Sequence, residues 1–108
     1  MKIGLFGGAV RRGETADSAS YGKFVDYVRA ADRFGYASIF IVEHHFSGIG
    51  QVSSSLNLLS YLAAKTSTIR LGTAVTVLPW HNPVLLAEEV ATLDLLSGGR
   101  LDFGVGKG

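Results

Sequence analysis

Four short apolar runs punctuate the chain, centred near Leu5, Phe40, Thr73 and Phe103 and about 30 to 35 residues apart. Between them apolar residues recur every three or four positions. A strand-length run followed by a helix-period stretch, repeated at this spacing, is the pattern of successive βαβ units. Ile3 to Phe6 is the first expected strand. Phe24, Val28, Ala31 and Phe34 mark the inward face of a helix that Gly35 stops. The second strand starts at Ala37. Ser53, Ser54 and Ser55 are candidate N-caps of a second helix carrying Leu59, Leu62 and Ala63 inward. Ile69 to Val77 reads as the third strand. Asn82 and Pro83 open a third helix, with Pro where its missing N–H costs nothing. Ala87, Val90, Leu93 and Leu96 are its expected buried stripe, and Gly98-Gly99 its stop. Leu101 to Val105 is the fourth strand. Two polar segments rich in small residues, Gly7 to Ala19 and Ser47 to Gln51, read as loops, and one as long as the first is often a binding loop.

These elements predict an α/β fold: four parallel strands and three helices, the N-terminal half of a TIM (β/α)8 barrel. Residues 1–108 are then one partial barrel domain, because a closed barrel takes about 250 residues and the sequence has 108. The same shortfall leaves a gene fragment without activity of its own as one reading. Strands at Ile3 to Phe6 and Leu101 to Val105 would present unpaired edges, which invite association, so a homo-oligomer is expected.

Composition narrows the partners. With 47% hydrophobic and 18% charged residues, the chain has the apolar matter for a core. Ten Lys or Arg against nine Asp or Glu, scattered from Lys2 to Lys107, give no basic stripe for nucleic acid. Cysteine is absent, which excludes disulfides and thiolate metal sites. There is no apolar run of about 18 residues to cross a membrane, and Met1 to Phe6 enters a strand without a signal-peptide pattern. A cytoplasmic location and no membrane partner are expected.

Candidate chemistry concentrates where the second run ends. Ser38-Ile39-Phe40-Ile41-Val42 passes abruptly into Glu43-His44-His45-Phe46. In α/β folds ligands gather beyond the carboxyl ends of the strands, and three ionisable groups packed into a dry core there would be costly. The histidine pair reads either as a hydrogen-bonded loop feature or as part of a site. Glu43, His44, His45 and His81 include zinc-type ligands, but adjacent strand residues point to opposite faces, so no metal is expected. Gly104-Val105-Gly106-Lys107-Gly108 has the look of an anion-cradling loop, though glycines in βα loops are common without phosphate. Leu78, Pro79 and Trp80 either line an apolar pocket or cover the rim.

Taken in order, Glu43-His44-His45-Phe46, Leu71 to Pro79, Asn82-Pro83 with Ala87-Glu88-Glu89, Leu93-Asp94, Ser97 to Arg100 and Phe103 to Gly106 closely resemble the bacterial luciferase-like flavin-dependent monooxygenases. The resemblance implies a TIM-barrel oxidoreductase using reduced FMN, supplied by a separate flavin reductase, and O2 to oxidise a small organic substrate. Carried over by position, it puts Glu43, Ala74 and Val75 against the flavin ring, with a non-prolyl cis peptide at Ala74-Val75. His44 becomes the acid–base residue and His45 its neighbour, a role that suits imidazole. Lys107 falls where the family usually has an arginine on the FMN phosphate, and lysine offers charge without the bidentate fork. That substitution keeps open a deazaflavin coenzyme and hydride transfer. A flavin-binding paralogue without catalysis is a further alternative.

Overall fold

A computed structural model describes residues 1–10, 13, 16–47 and 52–108. The parts of the two expected loops at 11–12, 14–15 and 48–51 lie outside the described residues. Strands β1 (Gly4–Gly7), β2 (Ser38–Ile41), β3 (Arg70–Thr73) and β5 (Leu101–Asp102) form one parallel sheet in the order β1-β2-β3-β5. A short second ladder joins β4 (Thr76–Val77) to β6 (Val105–Gly106), also parallel. Helices α1 (Asp17–Arg33), α2 (Ser55–Lys65) and α3 (Pro83–Leu96) make the crossovers. The partial barrel read from the spacing is the architecture found.

One face of the sheet makes the core. Leu5, Ile39 and Leu71 are register neighbours, and Ile39, Ile41 and Leu71 are fully buried with Val28, Leu59, Leu62 and Leu93 of the helices. The alternate residues Phe6, Phe40 and Gly72 share the other face. Gly72 is required there, because a Cβ would run into the Phe40 ring.

The helices follow their patterns with two corrections. Phe34 is not on the inward face of α1: it is the C-cap and 79% exposed, while Gly35, at φ 81°, takes the left-handed turn that ends the helix. In α3 the buried stripe is Leu86, Val90 and Leu93, with Ala87 exposed and Leu96 68% exposed. At about 100° per residue, Leu86, Val90 and Leu93 fall together, whereas Ala87 and Leu96 sit on opposite flanks. Asn82 caps α3 by accepting from the Val84 and Leu85 amides at 3.0 and 3.2 Å. Ser54 holds the N-cap position of α2 without a side-chain cap bond.

The expected third and fourth strands are each broken in two. β3 stops at Thr73 and β4 begins at Thr76, and the Ala74–Val75 peptide between them is cis. Opposite this break, Thr73 Oγ1 donates to the Gly104 carbonyl at 2.7 Å and accepts the Gly104 amide at 3.0 Å, so one side chain replaces the missing ladder step. Gly104 lies so close to the Thr73 carbonyl that a Cβ would collide with it.

Candidate active site at the carboxyl ends of the strands

Glu43 organises this end of the sheet. Val42 and Glu43 continue beyond β2, and the Val42 amide still bonds the Gly7 carbonyl at 3.2 Å. The Glu43 side chain is completely covered. One carboxylate oxygen, Oε1, lies 2.6 Å from His45 Nε2 and 2.9 Å from His81 Nε2. The other, Oε2, accepts the Val77 amide at 3.1 Å. Burial pushes the carboxyl up, but hydrogen bonds from His45, His81 and the Val77 amide outweigh it and hold it below its ordinary value. An ionised carboxylate only accepts, so both imidazoles donate Nε2–H to it.

An aromatic group sits on this ionic one. A 3₁₀ turn, Leu78–Trp80, follows β4 and carries Trp80 and His81 back over the end of β2. Trp80 stacks on the His45 ring at 5.0 Å between centroids and 29° between planes. Phe46 meets Trp80 edge-on at 6.3 Å. Both apolar rings face outward, Trp80 60% and Phe46 98% exposed, and Phe46 holds φ 54° in the left-handed region.

The residues expected from sequence separate into three groups. Glu43 and His45 join His81 and Trp80 in one cluster. His44 is exposed; its amide donates to the Val52 carbonyl at 2.8 Å, and its ring makes no hydrogen bond among the described residues. Ala74 and Val75 stand half-buried at the strand break, with the buried Thr76 hydroxyl beside them lacking a hydrogen-bond partner among the described residues. Lys107 is exposed, one residue past the Val77–Gly106 pair. The neighbouring glycines have packing reasons: a Cβ at Gly106 would come within 2.7 Å of Val75, and one at Gly108 within 2.7 Å of Val77. Among the described residues no group of three His, Asp or Glu is arranged to hold a metal ion. His81 is the residue whose importance the sequence understated, visible as a zinc-type ligand and as part of a turn expected to shape the substrate pocket, with no sign of its bond to Glu43.

Comparison with known proteins places this arrangement. A monooxygenase from Streptomyces nodosus subsp. asukaensis that acts on 4-hydroxyprotoasukamycin is 44% identical over 77 residues, 71% of this chain and 21% of that protein. The FMN-bound oxygenating constituent of 3,6-diketocamphane monooxygenase from Pseudomonas putida superposes over 100% of this chain and 30% of its own, with TM-score 0.93 at 24% identity, a likeness of fold. The coenzyme F420-dependent tetrahydromethanopterin reductase of Methanopyrus kandleri matches 99% of the chain and 27% of its own at TM-score 0.77 and 26% identity. The chain thus spans less than a third of the length of each of these three proteins. The luciferase-like monooxygenase profile matches residues 1–108 from end to end, and the chain belongs to that family.

Proposed function

We propose that the full-length protein is a flavin-dependent monooxygenase that uses reduced FMN and O2 to oxidise a small organic substrate, with this end of the sheet as its flavin and substrate face. The observation that carries the reading is the Glu43-anchored histidine cluster beside the Ala74–Val75 break. The residues present fit a flavin: Ala74, at the strand break, is small and only half-buried, so a flat ring can approach the backbone there. Ala74 and Val75 would pack on the ring, and Lys107 would meet the phosphate as a point charge. Glu43, being covered, would reach the ring only through its partners. Reduced flavin supplies two electrons, O2 supplies the oxygen inserted into the substrate, and the second oxygen leaves as water.

In this reading His44, exposed and outside the Glu43 cluster, moves the proton, and His45, oriented by Glu43, is its neighbour along the chain. His44→Ala should preserve flavin binding and lower turnover by roughly 10² to 10⁴, the usual worth of a general acid–base group. Reduced-FMN affinity and product formation are measured separately; unchanged turnover removes His44 from the mechanism. Lys107→Arg should tighten FMN and leave riboflavin unchanged, and equal effects on both ligands would detach Lys107 from the phosphate.

A second reading, hydride transfer with a deazaflavin coenzyme, draws on the F420-dependent neighbour and on lysine at 107. Titrating the protein with FMN and with F420 separates the two. Binding without turnover would point to a non-catalytic paralogue. The proposal extends to a separate reductase as the source of reduced FMN, a cytoplasmic location and a homo-oligomer. Among the described residues no helix is long and apolar enough to cross a membrane. Residues 1–108 alone are proposed to be an incomplete domain.

A further inference from the structure

We propose that Trp80 and His81 are positioning residues for His45, acting as a two-point brace delivered by one turn. The inference rests on the reading of His45 as part of the proton-handling site. His45 lies beyond the end of β2, next to Phe46 in a left-handed conformation, and from its own segment its ring is held by the 2.6 Å bond to Glu43. The Leu78–Trp80 turn and the residue after it add one contact to that ring and one to the Glu43 oxygen that holds it. Trp80 covers the ring face at 5.0 Å, which limits rotation about the bond to the ring. His81 bonds the same Glu43 oxygen that holds His45 Nε2, at 2.9 Å against 2.6 Å.

The turn has a third tie, because the Val77 amide just before it donates to the other Glu43 oxygen. Glu43 therefore carries three donors, two from the residues that flank the turn and one from His45. If the His81 bond is lost, the turn keeps the Val77 tie to Glu43 but loses the one beside Trp80, and the exposed Trp80 ring is free to leave His45. His45 then keeps one hydrogen bond but loses its stacking partner. His81 acts here as a donor to Glu43, and no proton need pass through it. A neutral donor of similar reach should therefore replace it, which separates this role from acid–base chemistry at His81.

The test uses the full-length protein with labelled histidine. NMR of the flavin-free protein reads the ring-current shift that Trp80 imposes on the His45 ring protons, assigned with Trp80→Leu. His81→Ala should abolish that shift and lower kcat about 10- to 100-fold, the scale of a small misplacement of a reacting group, with reduced-FMN affinity little changed. His81→Gln, which keeps an N–H donor, should retain the shift and most of the turnover. Trp80→Leu should lower kcat as His81→Ala does while the Glu43–His81 bond remains, which covers the case in which His81→Ala folds poorly. A ring-current shift that survives His81→Ala overturns the proposal, as does a His81→Gln protein as impaired as the alanine variant. Spectra behaving as expected in a protein that does not turn over flavin and O2 would uphold the brace and overturn the monooxygenase reading instead.

Discussion

The two ends of the sheet use buried and half-buried charge in opposite ways. At the amino ends of the strands, polar side chains are spent on backbone. The Asp32 carboxylate at the end of α1 accepts the Ser67, Thr68 and Ile69 amides at 2.8, 3.0 and 2.8 Å and the Thr68 hydroxyl at 2.9 Å, fastening the segment that enters β3. Arg100, just before β5, donates to the carbonyls of Ala63, Thr66, Ile69 and Ser97 and to the Thr66 hydroxyl. At the carboxyl ends, Glu43 satisfies only one backbone group and otherwise holds two imidazoles beneath exposed aromatic rings. The first arrangement closes loops, while the second leaves ring nitrogens and π-faces available. In barrels of this class the amino-terminal face serves stability and the carboxyl-terminal face carries chemistry, and the contrast in partners gives that division a physical basis here.

The largest effect should come from Arg100. Arg100→Leu strips hydrogen bonds from four carbonyls and a hydroxyl, and unmet buried acceptors cost about 1 to 3 kcal/mol apiece before water relieves them. A loss of about 2 to 4 kcal/mol in denaturant unfolding of the full-length protein is expected, with FMN affinity unchanged in the protein that remains folded. Arg100→Lys should recover little, because an ammonium lacks the five-donor fork. The nearby Arg70–Asp102 pair is also bidentate, at 2.9 and 2.6 Å, but it stands in solvent, and Arg70→Met should be hard to distinguish from the parent. A large loss at Arg70 with none at Arg100 would break the account of this end.

The next effects separate the two carboxylates. Burial acts to raise Asp32, and the hydrogen bonds from the Ser67 to Ile69 segment overcome it, lowering the group from 3.8 to about 2. A folded value below the unfolded one stabilises the fold above the unfolded pKa, and that contribution fades as pH falls from about 4 towards about 2. With solvent screening, about 1 to 2 kcal/mol is expected. Asp32→Asn should lose this amount at neutral pH and flatten the acid limb of the stability curve, leaving turnover untouched. Glu43 is also lowered, so its contribution has the same sign and is lost at acid pH below its ordinary range. Glu43→Gln should differ in kind: it lowers stability and kcat together, because the amide cannot accept from three donors as a carboxylate does. Full turnover in Glu43→Gln would make the upper cluster as purely structural as the lower one.

Much of this contrast could not be read from the sequence. Helical faces at α1 and α2 were legible because burial follows the 3.6-residue period, and Glu43-His44-His45 stood out because charge interrupts an apolar run. The break in the third strand left no such mark: Ala74 to Val77 continues the apolar pattern of β3, and only the family resemblance singled out Ala74-Val75. Glu43 stands just past the end of β2, where the apolar run stops, but its direction depends on Val77 and His81, 34 and 38 residues away. Asp32 drew no notice in the sequence, and Arg100 entered only within the Ser97 to Arg100 motif of the family resemblance. Their partners are main-chain amides and carbonyls, which every sequence contains and no pattern of side chains announces.

The smallest expected effect is at Phe46, and it bears most directly on why the upper end differs. A bulky residue at φ 54° with 98% of its surface exposed gains little from burial and sits where L-residues other than Asn, Asp and Gly are disfavoured by about 1 kcal/mol or more. Its edge contact with Trp80 returns part of that. Phe46→Asn, which suits the left-handed region without glycine's entropy, should change stability by less than about 1 kcal/mol and in the favourable direction. Substrate KM should rise in the same variant, because an aromatic wall beside Trp80 has been removed while the Glu43 cluster is intact. Unfolding curves and steady-state kinetics on one preparation test both halves. A loss of more than about 1 kcal/mol, with KM unchanged, would mean that Phe46 is held by packing after all. The carboxyl end would then owe its open aromatic surface to stability, as the amino end owes its charges.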